Sequence, residues 1–160
     1  MTQKKILAYD HRSTEILIER ESSLTYAPAD KVSGLILVDD KLVRDYADSY
    51  GDRNLIHLDA EAGRGSIFKS RIAHGMLSFN FFSTLLGAGF PGPGTIFTGI
   101  ENWRFTAPVR IGDELRLEVI VASARQKTNG AFDLALDARA TNKEGLPVMA
   151  GRLNVIAPKP

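Results

Sequence analysis

The sequence predicts an α+β domain in which an antiparallel sheet curves around one long buried helix. Three observations carry this. The stretch from Ala73 to Leu86, AHGMLSFNFFSTLL, is apolar on nearly every side of a helix, and such a helix belongs in a protein interior. Four later segments, Thr95 to Thr106, Glu114 to Ala124, Ala131 to Thr141 and Pro147 to Ala157, alternate apolar and polar residues, as strands with one buried face do. Short polar connections, VRIGD, QKTNG and NKEG, lie between them and suit consecutive antiparallel hairpins. A helix without a polar face has to be enclosed, so the sheet is expected to wrap it.

The first thirty residues are the least readable. A weak candidate strand runs from Ile16 to Glu19, a turn-rich stretch from Ser22 to Gly34, and an apolar run from Leu35 to Val38. His11 lies in a polar stretch and reads as solvated surface. Asp39 and Asp40 then stand where an N-cap and a first-turn acid belong, and Leu42, Val43, Tyr46, Ala47 and Tyr50 follow at helical spacing. An amphipathic helix is expected from Asp39 or Asp40 to Ser49. Gly51 should close it, because a glycine just past a helix end adopts the left-handed conformation without strain. In FDLALDARA, Phe132, Leu134, Leu136 and Ala138 share one face while Asp133, Asp137 and Arg139 share the other. Met76, Leu77, Phe79, Phe81 and Phe82 are expected in the core around the helix. Phe90 and Phe97 belong with them.

Composition narrows the function. At 160 residues the chain suits a single domain, 1–160. Twenty basic against nineteen acidic residues leave a net charge of +1, which gives no global field for a polyanion and makes nucleic acid an unexpected partner. Cysteine is absent, which excludes disulfides, thiolate metal sites and a thiol nucleophile. The N-terminal stretch has only a short apolar run, Ile6 to Ala8, far less than a signal-peptide core needs. Ile72 to Phe90 is interrupted by His74, Asn80, Ser83 and Thr84 and makes a poor membrane span. A cytoplasmic location is expected.

GAGFPG, Gly87 to Gly92, matches the dinucleotide-binding fingerprint letter for letter. Its context is wrong, since that motif needs a strand before it and a helix after it. It reads as a helix stop. No H-x-x-x-H spacing joins His11, His57 and His74, and no resident metal is expected from so few ligands. The stretch YGDRNLIHLD is more informative. It sets Asp52, Asn54 and His57 close together after a rigid helix, in a loop expected to be buried, and RIAHGM sets His74 and Gly75 at the start of the central helix. Unpaired amides at a helix start bind anions. A carboxylate, an imidazole and an oxyanion donor would therefore meet if loop and helix start are neighbours.

These residues resemble the G-D-x-N-P-x-H-x-D motif of the MaoC-like hydratase and dehydratase family, which includes the (R)-specific enoyl-CoA hydratases. SIFKSRIAHGML is similar to the segment that follows it there, and ENWRFTAPVRIGDELRLEV, Glu101 to Val119, to the family's Pro-Val and Gly-Asp stretch. The resemblance runs from about Leu42 to Val121 and implies a hot-dog fold, usually assembled as a dimer with continuous sheet. It implies reversible hydration of trans-2-enoyl thioesters to (R)-3-hydroxyacyl thioesters, a hydro-lyase reaction of fatty acyl groups that requires no cofactor. Asp52 and His57 would hold the water, and the Gly75 amide would bind the thioester carbonyl. Asn54, His74 and Arg104 are expected on the substrate side, with Arg104 or Arg71 near the phosphates of coenzyme A; acyl carrier protein is the other candidate carrier. Leu55 and Arg71 depart from the family, which commonly has proline at both places.

Two rival readings share the fold. A hot-dog acyl-CoA thioesterase commonly carries its catalytic carboxylate on the central helix, but Ser70 to Gly94 contains no Asp or Glu. A non-catalytic hot-dog subunit supporting an active partner would have little need of Asp52, Asn54, His57, His74 and Gly75 together.

Overall fold

In a computed structural model of the chain, residues 26–159 are described in full, and the stretches 2–9 and 14–21 by their backbone. His11 and part of the turn-rich stretch, 22–25, lie outside the described residues. The elements run β1 (Thr2–Tyr9), β2 (Thr14–Glu21), β3 (Lys31–Val38), α1 (Asp40–Tyr50), α2 (Leu55–Leu58), α3 (Ala60–Gly65) and α4 (Gly75–Thr84). Strands β4 (Ile96–Phe105), β5 (Asp113–Gln126), β6 (Phe132–Thr141) and β7 (Pro147–Ala157) complete the chain. The candidate strand at Ile16 to Glu19 sits within β2, and β1, which no sequence signal marked, pairs with it antiparallel.

All seven strands form one antiparallel sheet in the order β1-β2-β3-β5-β6-β7-β4. Its inner face is read directly from the alternation. Leu115, Leu117, Val119 and Val121 of β5 and Leu134, Leu136, Ala138 and Ala140 of β6 are buried. They join Leu77, Phe79, Phe81 and Phe82 of α4 in one core cluster. The central helix continues through a π turn, Leu85–Gly89, that buries Leu85 and Leu86, so GAGFPG is the end of a helix and the turn before β4. This is the hot-dog arrangement, a sheet wrapped on a helix.

The expected run of four strands joined by hairpins is correct for β5, β6 and β7 and wrong for β4, which pairs with β7 at the far edge of the sheet. The connection 106–112 is therefore a crossover. It is pulled across the end of the sheet by the Ala73 amide, which donates to the Val109 carbonyl at 2.8 Å, and by a bridge between Ile72 and Arg110. A period-two pattern places a strand's faces but not its neighbour. Irregular register in β4 between Phe97 and Gly99 and between Glu101 and Arg104 bends the strand, as bulges do. Trp103 consequently lies edge-on to Phe79 and Phe82, with ring centroids 4.8 and 5.2 Å apart.

Met76, grouped with the core on apolarity alone, is about half exposed. It lies in the first turn of α4, where the helix leaves the sheet's cover. No helix among the described residues is long and apolar enough to cross a membrane.

Candidate active site

Helix α1 delivers the acidic turn. Asp39 caps it by accepting from the Leu42 amide at 2.8 Å, and Gly51 closes it at φ 77°, with its amide donating to the Ala47 carbonyl at 2.9 Å. Beyond Gly51 the chain makes two short helices that sequence reasoning missed, because four and six residues are too few to show a period. Their ends are set by side chains. Asn54 accepts from the Ile56 amide at 3.2 Å and starts α2, and Asp59 accepts from the Glu61 and Ala62 amides at 2.9 and 2.8 Å and starts α3. His57 is thus held on a one-turn helix between two caps.

Leu55 is the first residue of α2, and the preceding Asn54 has φ −57° and ψ 125°. Both positions suit proline, which favours the first helical position and an extended residue before it. Leu55 is also 62% exposed. Leu55→Pro is expected to raise unfolding free energy by about 0.4–1 kcal/mol through the unfolded chain, read as a shift in the urea midpoint. An unchanged or lower midpoint would show that Asn54 capping already supplies all the rigidity the turn can use.

Two side-chain hydrogen bonds join this turn to the start of α4. The His74 ring lies at 2.9 Å, through Nε2, from the Asp52 backbone carbonyl, and the His57 ring at 2.8 Å, through Nδ1, from the Ile72 carbonyl. A carbonyl only accepts, so each of those nitrogens carries the hydrogen. In the neutral tautomer this leaves the lone pair of His57 on Nε2. The two imidazoles stack with centroids 3.9 Å apart, Tyr46 packs on His74 at 4.8 Å, and Tyr50 on Tyr46 at 4.7 Å. This column of rings runs from α1 to α2 and fixes the loop against the helix. The carboxylate of Asp52 and one ring nitrogen from each histidine lie within 4.8 Å of one another.

His74 is also the residue before the first turn of α4 and places no side-chain cap on it. Gly75 follows as the first helical residue, so its N–H has no partner within the helix. A pocket of about 340 Å³ opens there, lined among others by His57, Phe68, Ile72, Gly75, Ser78 and Phe105. A Cβ on Gly75 would stand 3.3 Å from the Phe105 ring, so the glycine keeps the approach to the helix start open.

The expected site residues separate into two groups. His57 and Gly75 line the same pocket, while Asp52 lies in the adjoining turn with its carboxylate within 4.8 Å of a His57 ring nitrogen, exposed rather than buried. His74 is only 2% exposed and does not line the pocket. It supports the turn. Asn54 is a cap, and Arg104 lies exposed on β4 with its guanidinium on the Trp103 carbonyl, away from the pocket lining. Arg71, the other candidate for a carrier phosphate, is spent on protein: its Nε donates to the His57 carbonyl at 2.8 Å and its guanidinium pairs with Asp40. Sequence offered no sign of that brace, since its partners are distant in the chain. Phe79, Phe81, Phe82 and Phe90 are core, and the pocket's aromatic walls are Phe68 and Phe105.

A metal suits this cluster poorly. Imidazole lone pairs lie in the ring plane, and rings stacked at a 36° tilt do not aim them at one point. Nε2 of His74 and Nδ1 of His57 are already donors.

Burial lowers the pKa of His74, and the neighbouring His57 acts in the same direction against the opposing Asp52 contacts. The buried ring is therefore neutral. Because the folded value lies below the unfolded one, stability is complete above the unfolded pKa, near 6.5, and is lost as pH falls through the folded value. One such proton changes unfolding free energy by at most about 1.4 kcal/mol per pH unit. Urea midpoints of the wild type should fall below pH 6.5 more steeply than those of His74→Gln. Parallel slopes would show that His74 is not the linked group.

Together the fold and the site define a hot-dog domain in which an imidazole and a helix-start glycine line a small apolar pocket, with a carboxylate beside the imidazole. Residues 19–142 match the MaoC-like domain, and the chain belongs to that family. It is 46% identical over 70 residues to an (R)-specific enoyl-CoA hydratase of Rhodospirillum rubrum, a match covering 44% of this chain and 48% of that protein. The chain thus spans about half the length of that curated relative. It is 31% identical over 117 residues to a mitochondrial 3-hydroxyacyl-[acyl-carrier-protein] dehydratase of Arabidopsis thaliana, covering 72% of this chain and 68% of the relative. The unliganded structure of the R-hydratase PhaJ1 from Pseudomonas aeruginosa superposes with a TM-score of 0.75 at 33% identity, over 86% of this chain and 87% of that one.

Proposed function

We propose that the chain is a hydro-lyase that reversibly hydrates short trans-2-enoyl thioesters to (R)-3-hydroxyacyl thioesters. The observation that supports this is a pocket lined by both His57 and Gly75, with the Asp52 carboxylate close to the His57 ring. The names of the relatives support the same chemistry. A volume near the lower end of small-molecule sites, about 300–1,000 Å³, favours a short acyl group.

In the proposed reaction, His57 Nε2 accepts a proton from water as the water oxygen bonds to the β-carbon. Electrons of the double bond move toward the thioester oxygen. The Gly75 amide and the helix dipole hold that oxygen more strongly as charge develops, an effect worth roughly 10²- to 10³-fold per donor. The proton taken from water returns through the His57 and Asp52 pair to the α-carbon, so no oxidant, hydride or further reactant is consumed. General acid-base transfer of this kind supplies about 10²- to 10⁴-fold. The Ile72 carbonyl holds the histidine tautomer, and His74 holds Asp52 by its backbone.

The protein is proposed to act in the cytoplasm as a homodimer. Strand β4 is a sheet edge, with Ile96, Ile100 and Phe105 about half exposed, and an unpaired apolar edge is a pairing surface. Sedimentation should give twice the chain mass, and Ile100→Lys should shift it toward one chain mass. A monomer at micromolar concentration contradicts the assembly.

The activity is tested by incubating the protein with crotonyl-CoA while following enoyl absorbance and free thiol together. Loss of absorbance without thiol is the expected result. Thiol release instead would indicate a thioesterase, and a folded protein with neither signal would contradict the proposal.

A further inference from the structure

A second hollow, about 400 Å³, lies beside the apolar pocket and is lined among others by Asp40, Arg64, Lys69, Ser70, Arg71 and Arg110. The two hollows share walls. Phe68 and Ile72 face the first while Lys69, Ser70 and Arg71 face the second, and Val109 and Arg110 divide in the same way. The Ile72 and Arg110 bridge and the Arg110 guanidinium, which donates to the Phe68 carbonyl at 3.1 Å and to the Ser70 hydroxyl, hold that partition.

The charge of this hollow is unbalanced. Four cationic side chains face one carboxylate, Asp40, and that carboxylate already accepts from Arg44 and Arg71, which hold its pKa below the usual range. Arg64 reaches only the exposed Glu61, at 3.9 Å. The Lys69 and Arg110 side chains form no ion pair among the described residues, and the Arg110 backbone amide donates to the Asp113 carboxylate at 2.7 Å. On a chain of net charge +1, this is a local concentration of positive charge in a concave surface, where fields are strongest.

We propose that this hollow binds the nucleotide phosphates of a coenzyme A carrier, with Lys69 and Arg64 as the phosphate partners and Arg110 bracing the wall between the hollows. The inference rests on the thioester reading above. It replaces Arg104, which points elsewhere, and Arg71, which is occupied. A hollow suits small multiply charged phosphates, with Arg forks and a Lys point charge providing complementary contacts. The acidic surface of a carrier protein would need a broad exposed patch instead.

The test compares crotonyl-CoA with crotonyl-pantetheine, the same thioester without the nucleotide, in the wild type and in a Lys69→Gln, Arg64→Gln double variant. The ratio of KM for crotonyl-CoA to KM for crotonyl-pantetheine should rise on the order of 10-fold or more, and competitive inhibition by adenosine 3′,5′-bisphosphate should weaken in parallel. An unchanged ratio, or equal inhibition of both proteins, overturns the site. So does a variant that loses only turnover of crotonyl-acyl carrier protein. If the wild type turns over neither thioester, the proposed reaction fails on its own. Calorimetric binding of adenosine 3′,5′-bisphosphate by the wild type, lost in the variant, would then still support the phosphate site, and its absence would overturn it.

Discussion

Asp52→Asn and His57→Ala should each lower kcat for crotonyl-CoA hydration by about 10²- to 10⁴-fold without unfolding the protein. Asp52 is exposed, and its carboxylate makes one long hydrogen bond, 3.3 Å, to the Asn54 amide, so an isosteric amide leaves the turn standing. His57 is half-buried, and its ring makes one hydrogen bond, through Nδ1. Removing it deletes the nitrogen that would take the water's proton and the ring that covers His74. KM should move far less than kcat, because neither group is asked to bind the ground-state acyl chain. The two losses should not add, since the groups act on one proton. A double variant no slower than the worse single variant is the expected kinetic signature. Near-wild-type turnover by either single variant would assign the chemistry to other residues.

Gly63→Ala should have the largest effect on stability and damage activity with it. A Cβ on Gly63 would stand 2.5 Å from the Arg71 amide nitrogen, 2.8 Å from the Ser70 carbonyl carbon and 3.0 Å from the Arg71 Cα. All three are backbone atoms, so no rotamer change relieves the clash. Helix α3 would have to lift from the 70–71 segment, which carries the Arg71 brace on His57 and leads into the Ile72 carbonyl that holds its tautomer. A cost of about 3 kcal/mol, the upper part of the overpacking range, corresponds to a Tm lower by roughly 6–12 °C. Gly65→Ala is the control. Its Cβ meets nothing within 4 Å, so α3 should tolerate it. Equal Tm values for the two variants would contradict the packing described.

What could be read in advance follows the range of each interaction. Helix α1 was legible because Asp39, the apolar spacing and Gly51 are all local signals, and β5 to β7 because alternation and short connections fix adjacent strands together. The place of β4 was not, since its pairing with β7 depends on a crossover held by Val109 and Arg110 rather than on any pattern within the strand. At the site, Asp52, His57 and Gly75 are legible as a carboxylate and an imidazole after a rigid helix and an amide at a helix start, and the family resemblance of their blocks adds to this. The role of His74 did not, because its partner is a backbone carbonyl 22 residues away and a carbonyl leaves no trace in side-chain chemistry. The same holds for Arg71 on the His57 carbonyl. Arg104 stands just before the Pro-Val turn in sequence, but alternation along β4 sends it outward while Trp103 turns to the core.

The placement of substrate at this site is measured most directly by a crystal structure of Asp52→Asn with (R)-3-hydroxybutyryl-CoA bound. The thioester oxygen is expected about 2.7–3.2 Å from the Gly75 nitrogen, with the 3-hydroxyl at similar distance from His57 Nε2. An acyl group seated elsewhere, or a thioester oxygen turned away from the start of α4, would contradict the account.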